Sequence, residues 1–424
     1  MRVTAKMEKM VNGGQCLGRS DSKVIFAWNA LPGEETEVEL SKNKKDFAEG
    51  TTVSWTNTSP DRATPREDHF LICSPWQIMT YDAENKFKRE MSAEALVRIG
   101  GLDLKDELQI VSLPAQFGYR NKIEYSFATT ADGVALGFFE RGEHLHTAIE
   151  ECALASTAMN KTAKIILAWI NEVKIPIRSL KSLIVRGNQA GETIAALFIK
   201  DKLEFVNYPV LASGWLGFQL YYSDHRCPAS RPDALLYSVG QNYLTEKLGS
   251  TKFQFGLLSF FQINVPMFEL ALNDIASFVK ADDFVLDYYS GTGAIGIALA
   301  GNCKKVILVE SNPEAVEYAQ INIQTNKLEQ KCEAVLKPAE KMLELIKSDT
   351  TLVFDPPRSG LHEDVVNRAL EQKPERIIYL SCNVATQARD IKLLSAGYQV
   401  KFLKLYNFFP RTPHVESLCM LEKC

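Results

Sequence analysis

A doubly wound α/β domain at the C-terminal end, preceded by a small β-barrel and a central α+β region, is the architecture that this sequence predicts. Three observations carry it. From about Asn264 onward, short apolar strands alternate with helical segments, and such alternation requires right-handed crossovers and a parallel sheet. The first sixty residues instead show short alternating strands punctuated by Gly13-Gly14 and Pro32-Gly33, the pattern of a small barrel. The length, 424 residues, exceeds one ordinary domain and suits two or three.

In chain order, strands are expected at Arg2–Met7, Lys23–Trp28, Glu35–Leu40 and Thr51–Trp55, about five in all being needed for an OB-like barrel over residues 1–58. Thr56 to Asp68, with two prolines, is a loose linker. An amphipathic helix follows over Ala83–Ile99. A central α+β region, 65–250, mixes strands at Asn121–Thr129, Thr193–Ile199 and Trp215–Tyr222 with a helix at Met159–Glu172. The last region, 251–424, carries strands at Phe284–Asp287, Lys305–Glu310, Cys332–Leu336, Thr351–Asp355, Arg376–Leu380, Gln399–Leu405 and Ser417–Glu422, with helices in the gaps up to the sixth. The last two strands have no helix between them and pair as an antiparallel hairpin. That is the layout of the Rossmann-like, S-adenosylmethionine-dependent methyltransferase fold.

Composition narrows the setting. Hydrophobic residues make up 46% and charged residues 24%, average globular usage that excludes wholesale disorder. No apolar run is long enough to span a bilayer and the first residues lack a secretory h-region, so a cytoplasmic protein without a membrane partner is expected. Nine cysteines, an odd number with no CxxC pair, point to reduced thiols rather than a disulfide scaffold or a zinc ribbon. The net charge of −4 gives no global support for nucleic-acid binding, leaving it to local patches. Arg120 and Lys122, beside Tyr119 and Tyr125, form one such patch.

The chemistry-bearing segments fall at the carboxyl ends of the predicted parallel strands, where open α/β sheets bind ligands. Asp287-Tyr-Tyr-Ser-Gly291-Thr-Gly293-Ala-Ile-Gly296 follows an apolar strand and opens a helix, the context in which glycines let a backbone approach a ligand. Glu310 ends the next strand, placed to accept both hydroxyls of a ribose. Asp355-Pro-Pro-Arg358 forms a rigid loop after the fourth strand. Tyr379-Leu-Ser-Cys382-Asn383 puts a thiol at the same edge, just ahead of a helix starting at Thr386, whose N-terminus is expected to lower the thiol pKa. Phe409-Pro-Arg-Thr-Pro-His-Val-Glu416 supplies a carboxylate before the last strand.

These residues resemble the RNA uracil-C5 methyltransferase family. The resemblance rests on Tyr379-Leu-Ser-Cys-Asn383 with Ala385-Thr-Gln-Ala-Arg-Asp390, on Thr412-Pro-His-Val-Glu416, on Ser259-Phe-Phe-Gln-Ile-Asn264 and on Asn121-Lys-Ile-Glu-Tyr-Ser-Phe127. It covers nearly the whole chain. Gly13-Gly-Gln-Cys-Leu-Gly18 and Ala30-Leu-Pro-Gly-Glu34 resemble the RNA-binding TRAM barrel. The resemblance implies Cys382 as nucleophile, Glu416 as general base, and cofactor contacts from Gln262, Tyr289, Glu310 and Asp355. Ser290 stands where the family often has cysteine. The implied cofactor is S-adenosyl-L-methionine and the implied partner structured RNA, with no obligate protein partner evident.

The implied reaction is thiolate addition to C6 of an unstacked uracil, methylation at C5 and removal of the C5 proton. His414 is expected to serve structurally. Because relatives with the TRAM barrel resemble enzymes acting on large-subunit rRNA, 23S rRNA is favoured, with tRNA as the alternative and a catalytically silent RNA chaperone as a reading from another class. An amino-group methyltransferase fits less well, since Arg358 stands where an aromatic normally follows the prolines. Several relatives hold a [4Fe–4S] cluster on four cysteines. Here Cys73 and Cys152 match two of them, while Glu67 and Trp76 replace the others. No cluster and no metal is therefore expected, with Trp76 filling the vacated volume.

Overall fold

In the computed structural model, which describes residues 1–424 apart from 105–107, 142–144 and 228, the first five strands close into a barrel of order Arg2–Met10, Cys16–Ser20, Lys23–Trp28, Phe47–Asn57 and Glu35–Asn43. Alternation along each strand sends Ala5, Met7, Ile25, Ala27 and Val38 inward. Cys16–Ser20 was not expected as a strand. It is only five residues long and contains Gly18. The stretch expected as a loose linker is pinned. Arg62 places Nε 2.6 Å from Glu34 Oε1 and Nη2 2.7 Å from Oε2, and its guanidinium lies over the Trp55 ring. Glu34 is buried, so this bidentate pair fastens the chain as it leaves the barrel.

The central region forms a seven-stranded sheet. Trp215–Tyr222 and Thr193–Ile199, second and third from one edge, run in parallel, and helix Thr157–Glu172 covers one face through Met159, Ala163, Ile166 and Ile170. A hairpin, Tyr243–Leu248 with Thr251–Gly256, was not foreseen. Its aromatic side chains Phe253 and Phe255 are fully buried in the C-terminal core.

The C-terminal sheet has eight strands in the order Cys332–Leu336, Lys305–Glu310, Phe284–Tyr288, Thr350–Phe354, Arg376–Ser381, Glu416–Lys423, Tyr398–Tyr406, Ile110–Val111. The first five are parallel, and Glu416–Lys423 enters antiparallel between its two neighbours. The doubly wound α/β domain and the N-terminal barrel are as expected. Between Cys332–Leu336 and Thr350–Phe354, however, the chain makes two single 3-10 turns rather than an α-helix. Pro338 opens this short connection, and too few residues remain to cross the sheet with a long helix.

Chain order and packing differ at one place. Helix Tyr81–Arg98 and strand Ile110–Val111 lie in the expected central segment, yet Leu96 and Leu108 join the C-terminal core and Ile110 pairs with Leu405. A cut at residue 250 thus separates residues that pack together. Among the described residues, no helix is long and apolar enough to cross a membrane.

Candidate active site

Strand Phe284–Tyr288 pairs with Lys305–Glu310 on one side and Thr350–Phe354 on the other, so the direction of winding reverses beside it. A crevice opens at that switch point. Gly293, at φ 83°, caps the following helix Ala294–Leu299. A Cβ there would meet Ile297 Cδ1 at 2.6 Å and Leu308 Cδ1 at 2.9 Å, so the loop can close over the strand ends only with glycine. Asp287 is fully buried. Its Oδ2 accepts from the Gly296 N–H at 2.8 Å, while Oδ1 has no partner. Burial, with Asp355 and Glu310 nearby, pushes its carboxyl up to about 8. The Ser290 and Thr292 hydroxyls are also buried without partners.

Glu310 fastens the glycine loop to the strand end. Its Oε2 accepts from the Gly291 N–H at 3.0 Å, and its Oε1 accepts from Ser311 and Asn312 N–H at 2.7 and 2.8 Å. Only Oε2 retains a free lone pair. Across the crevice, Gln262 Nε2 donates to Asp355 Oδ2 at 2.8 Å, and burial pushes Asp355 up to about 7 against that bond. Tyr289, with φ 62°, lines the same crevice beside Phe260, Phe261, Gln262 and Asp355. Its hydroxyl accepts from the His362 N–H at 3.4 Å. Gln262, Tyr289 and Asp355 thus wall one crevice, with Glu310 bonded to the glycine loop that borders it. Three carboxyl groups, two orphan hydroxyls and aromatic walls suit a ligand that carries positive charge, hydroxyl donors and a flat ring. Asp287 escaped the sequence reading, in which it looked like one more residue of a buried strand.

Cys382 and Glu416 are brought together by register. Ser381 pairs with Ser417 across antiparallel strands, which puts Cys382 and Glu416 at the next position out. Glu416 is 4% exposed and its Oε2 has no hydrogen-bond partner. Burial and then Asp355 hold its carboxyl well above the usual range, against the pull of Arg358. The Cys382 thiol is pushed up to about 11, by burial first and then by Glu416 and Asp355. The lowered thiol pKa expected from a helix N-terminus is therefore corrected. The helix, Val384–Leu394, is present, but the Asn383 side chain already caps it by accepting from the Ala385 N–H, and two carboxyl groups with burial outweigh its dipole.

Cys382 faces a cavity of about 190 Å³ lined by Asn12 and Gly13 of the barrel, Ser92, Arg358, Pro413 and His414. The loop carrying Glu416 is held from below by an ionic network that sequence reasoning missed. Lys88 Nζ donates to Glu84 Oε1, Asn407 Oδ1 and the Phe409 carbonyl at 2.7, 2.6 and 3.0 Å, and the Arg411 N–H donates to Glu84 Oε2 at 3.0 Å. The Tyr119 hydroxyl donates to the Pro410 carbonyl at 3.0 Å. Arg358 Nη2 stands 3.3 Å from His414 Nε2. A guanidinium only donates, so this nitrogen accepts. Burial and the cations Arg358, Lys88, Arg120 and Arg141 push His414 down to about 4. His414 is thus neutral and hydrogen-bonded to Arg358 at the wall of the cavity that Cys382 faces.

Not every expected residue is available. Tyr125 is fully buried and donates to Asn160 Oδ1 at 3.2 Å, so it cannot stack on a base with Arg120 and Lys122. Trp76 does not fill space beside the cysteines. It packs with the barrel core and its Nε1 donates to the Gly14 carbonyl at 2.9 Å.

Comparison with known proteins places this geometry. The family model for tRNA (Uracil-5-)-methyltransferase matches residues 341–424, and that of the methyltransferase small domain matches 272–377. An uncharacterized RNA methyltransferase of Caldanaerobacter subterraneus subsp. tengcongensis is 30% identical, over 99% of this chain and 98% of its own. Another, from Porphyromonas gingivalis, is 30% identical over 97% of each. The crystal structure of Pyrococcus abyssi tRNA (uracil-54, C5)-methyltransferase in complex with S-adenosyl-L-homocysteine is similar with TM-score 0.80 and 26% identity, covering 98% of this chain and all of that one.

Proposed function

Since the chain belongs to the RNA uracil-C5 methyltransferase family and uses S-adenosyl-L-methionine, we propose that it methylates C5 of a uridine in structured RNA through a covalent bond from Cys382 to C6. The observation that supports this most is the register that sets Cys382 beside a buried, unpartnered Glu416.

The side chains that line the switch-point crevice have the chemistry to hold the cofactor. The orphan Asp287 Oδ1 and the Ser290 and Thr292 hydroxyls offer acceptors to an ammonium. Glu310 Oε2 would accept a ribose hydroxyl, and Gln262, Asp355 and Tyr289 would wall the bound cofactor. When bound there, S-adenosyl-L-methionine supplies an electrophilic methyl on a sulfonium.

The protein's part is addition, positioning and proton removal. Cys382 loses its thiol proton to solvent and bonds through sulfur to C6 of the uracil, which concentrates the ring's electrons on C5, the atom that would take the methyl. Glu416 then removes the C5 proton, the ring double bond re-forms, and the thiolate leaves. A carboxylate in the ordinary range is a weak base, and burial strengthens Glu416 for this step. Arg358, beside His414, balances the negative charge at the centre. The barrel, 1–58, and the central segment, 65–250, hold the RNA while 251–424 carries the chemistry, in the cytoplasm.

The target we propose is large-subunit rRNA. tRNA is the second reading, favoured by the Pyrococcus abyssi enzyme. Its likeness runs over 98% of this chain, barrel included, so the barrel does not discriminate between the two. Mass-spectrometric mapping of 5-methyluridine in rRNA and tRNA from a deletion strain decides. Loss of one rRNA site supports the first reading, and loss of a tRNA site replaces it. Unchanged modification in both overturns the proposed activity.

A further inference from the structure

Three side chains able to ligate a metal, Glu67, His69 and Cys73, converge beside the buried thiol of Cys152. Glu67, His69 and Cys73 bring their ligand atoms within 4.8 Å of one another. His69 Nε2 is 3.0 Å from Glu67 Oε1 and Cys73 Sγ is 3.9 Å from Glu67 Oε2. The Cys152 thiol interacts with both Cys73 and His69. The site is enclosed, with Glu67 and His69 side chains 9% and 12% exposed, and Cys152 buried. His69 Nε2 is shielded from solvent and, although it faces the Glu67 carboxylate, makes no well-directed hydrogen bond.

A [4Fe–4S] cluster does not fit these residues. They offer two thiols, and a four-iron cubane holds its ligands further apart than a single ion does. A tetrahedral zinc with bonds of about 2.0–2.3 Å keeps its ligand atoms roughly 3.3–3.8 Å apart, and the Glu67, His69 and Cys73 ligand atoms, 3.0 and 3.9 Å apart at two of their pairs and all within 4.8 Å, lie near that spacing. The surroundings are those of a metal ligand as well. Glu67 is oriented by the Ala153 N–H at 2.5 Å and by Gln77 Nε2 at 2.7 Å, as carboxylate ligands usually are.

We propose that Glu67, His69, Cys73 and Cys152 hold a single structural Zn²⁺, a mononuclear site in place of the cluster. Binding needs both sulfurs as thiolates and the imidazole neutral with a bare Nε2, so the protons these three groups hold are released to solvent. With four protein ligands the ion is closed to water and substrate, so its work is mechanical. It ties the 67–79 loop, which reaches the barrel through Trp76, to the 152–155 segment, which bonds Gly118 and Arg120. Those residues flank Tyr119, the donor to the Glu416 loop.

The test uses the full chain, purified without chelator or affinity metal. Elemental analysis should find one zinc per chain and no sulfide. Protein stripped by a chelator should have a lower Tm, restored by Zn²⁺ alone. Co²⁺ added to the stripped protein should give the intense visible bands of a tetrahedral ion with a sulfur-to-metal charge-transfer band. Cys152→Ser and Cys73→Ser should each weaken that band, and His69→Gln should shift the visible bands while circular dichroism shows an intact fold. A stripped protein that stays colourless with Co²⁺ and gains no stability from Zn²⁺ would overturn the proposal. So would a Cys73–Cys152 disulfide in freshly isolated protein, or iron and sulfide in cluster proportions.

Discussion

Lys88 Nζ lies 2.7 Å from Glu84 Oε1, one helical turn away, and both side chains are fully shut off from solvent. The pair sits under the loop that carries Glu416 and shares its partners with Asn407, Phe409 and Arg411. Removing one member of such a pair strands the other's charge. Lys88→Met should cost about 3–5 kcal/mol in denaturant unfolding and lower activity with it, by loosening the Glu416 loop. A variant as stable as wild type would show that the network does not hold the site.

Glu416→Gln keeps the volume and removes the base. Methyl transfer should still occur, and the methylated covalent complex should accumulate because its C5 proton has nowhere to go. Gel shift of RNA–protein adduct with mass analysis of the attached nucleotide reads it. Normal turnover by the variant would exclude Glu416 from the role.

The thiol itself should betray its neighbours. With Cys382 pushed up to about 11, the free enzyme holds it protonated at neutral pH. Its alkylation by iodoacetamide should keep rising roughly tenfold per pH unit without levelling near neutrality. Glu416 and Asp355 disfavour the thiolate, so Asp355→Asn should move the midpoint down. A plateau near pH 7 in wild type would contradict this electrostatic picture.

Stability should carry the signature of Asp287. In the folded protein its carboxyl keeps a proton up to about 8, against a reference value of 3.8. Between those values the folded state binds more protons, so stability present at low pH is lost as pH rises towards 8. Asp287→Asn, measured without cofactor, should flatten that slope. An unchanged slope would mean that Asp287 is ionised throughout.

How much of this was legible beforehand follows from the physics of each part. The parallel strands announce themselves as apolar runs, so Lys305–Glu310 and Cys332–Leu336 fall where the sequence places them. Cys382 and Glu416 stood out through the family resemblance of the segments around them, and strand register sets them side by side. Glu84 and Lys88 were not, because an i,i+4 acid–base pair on a helix has the pattern of a solvated face, and only tertiary packing shows it to be buried. The pKa of Cys382 was misjudged for a similar reason. A helix N-terminus is visible in sequence, whereas the carboxyl groups that oppose it come from two other strand ends. Glu67 stood out only as a replacement for a cluster cysteine, and His69 looked like an ordinary loop residue until folding gathered the two with Cys73.

The covalent role of Cys382 is tested most directly by trapping. Purified enzyme, S-adenosyl-L-methionine and target RNA carrying 5-fluorouridine should yield a denaturation-resistant complex, since fluorine at C5 cannot leave as a proton. Peptide mapping should locate the nucleotide on Cys382, and Cys382→Ala should give no complex. An adduct that survives in Cys382→Ala, or that maps to another cysteine, would contradict the account.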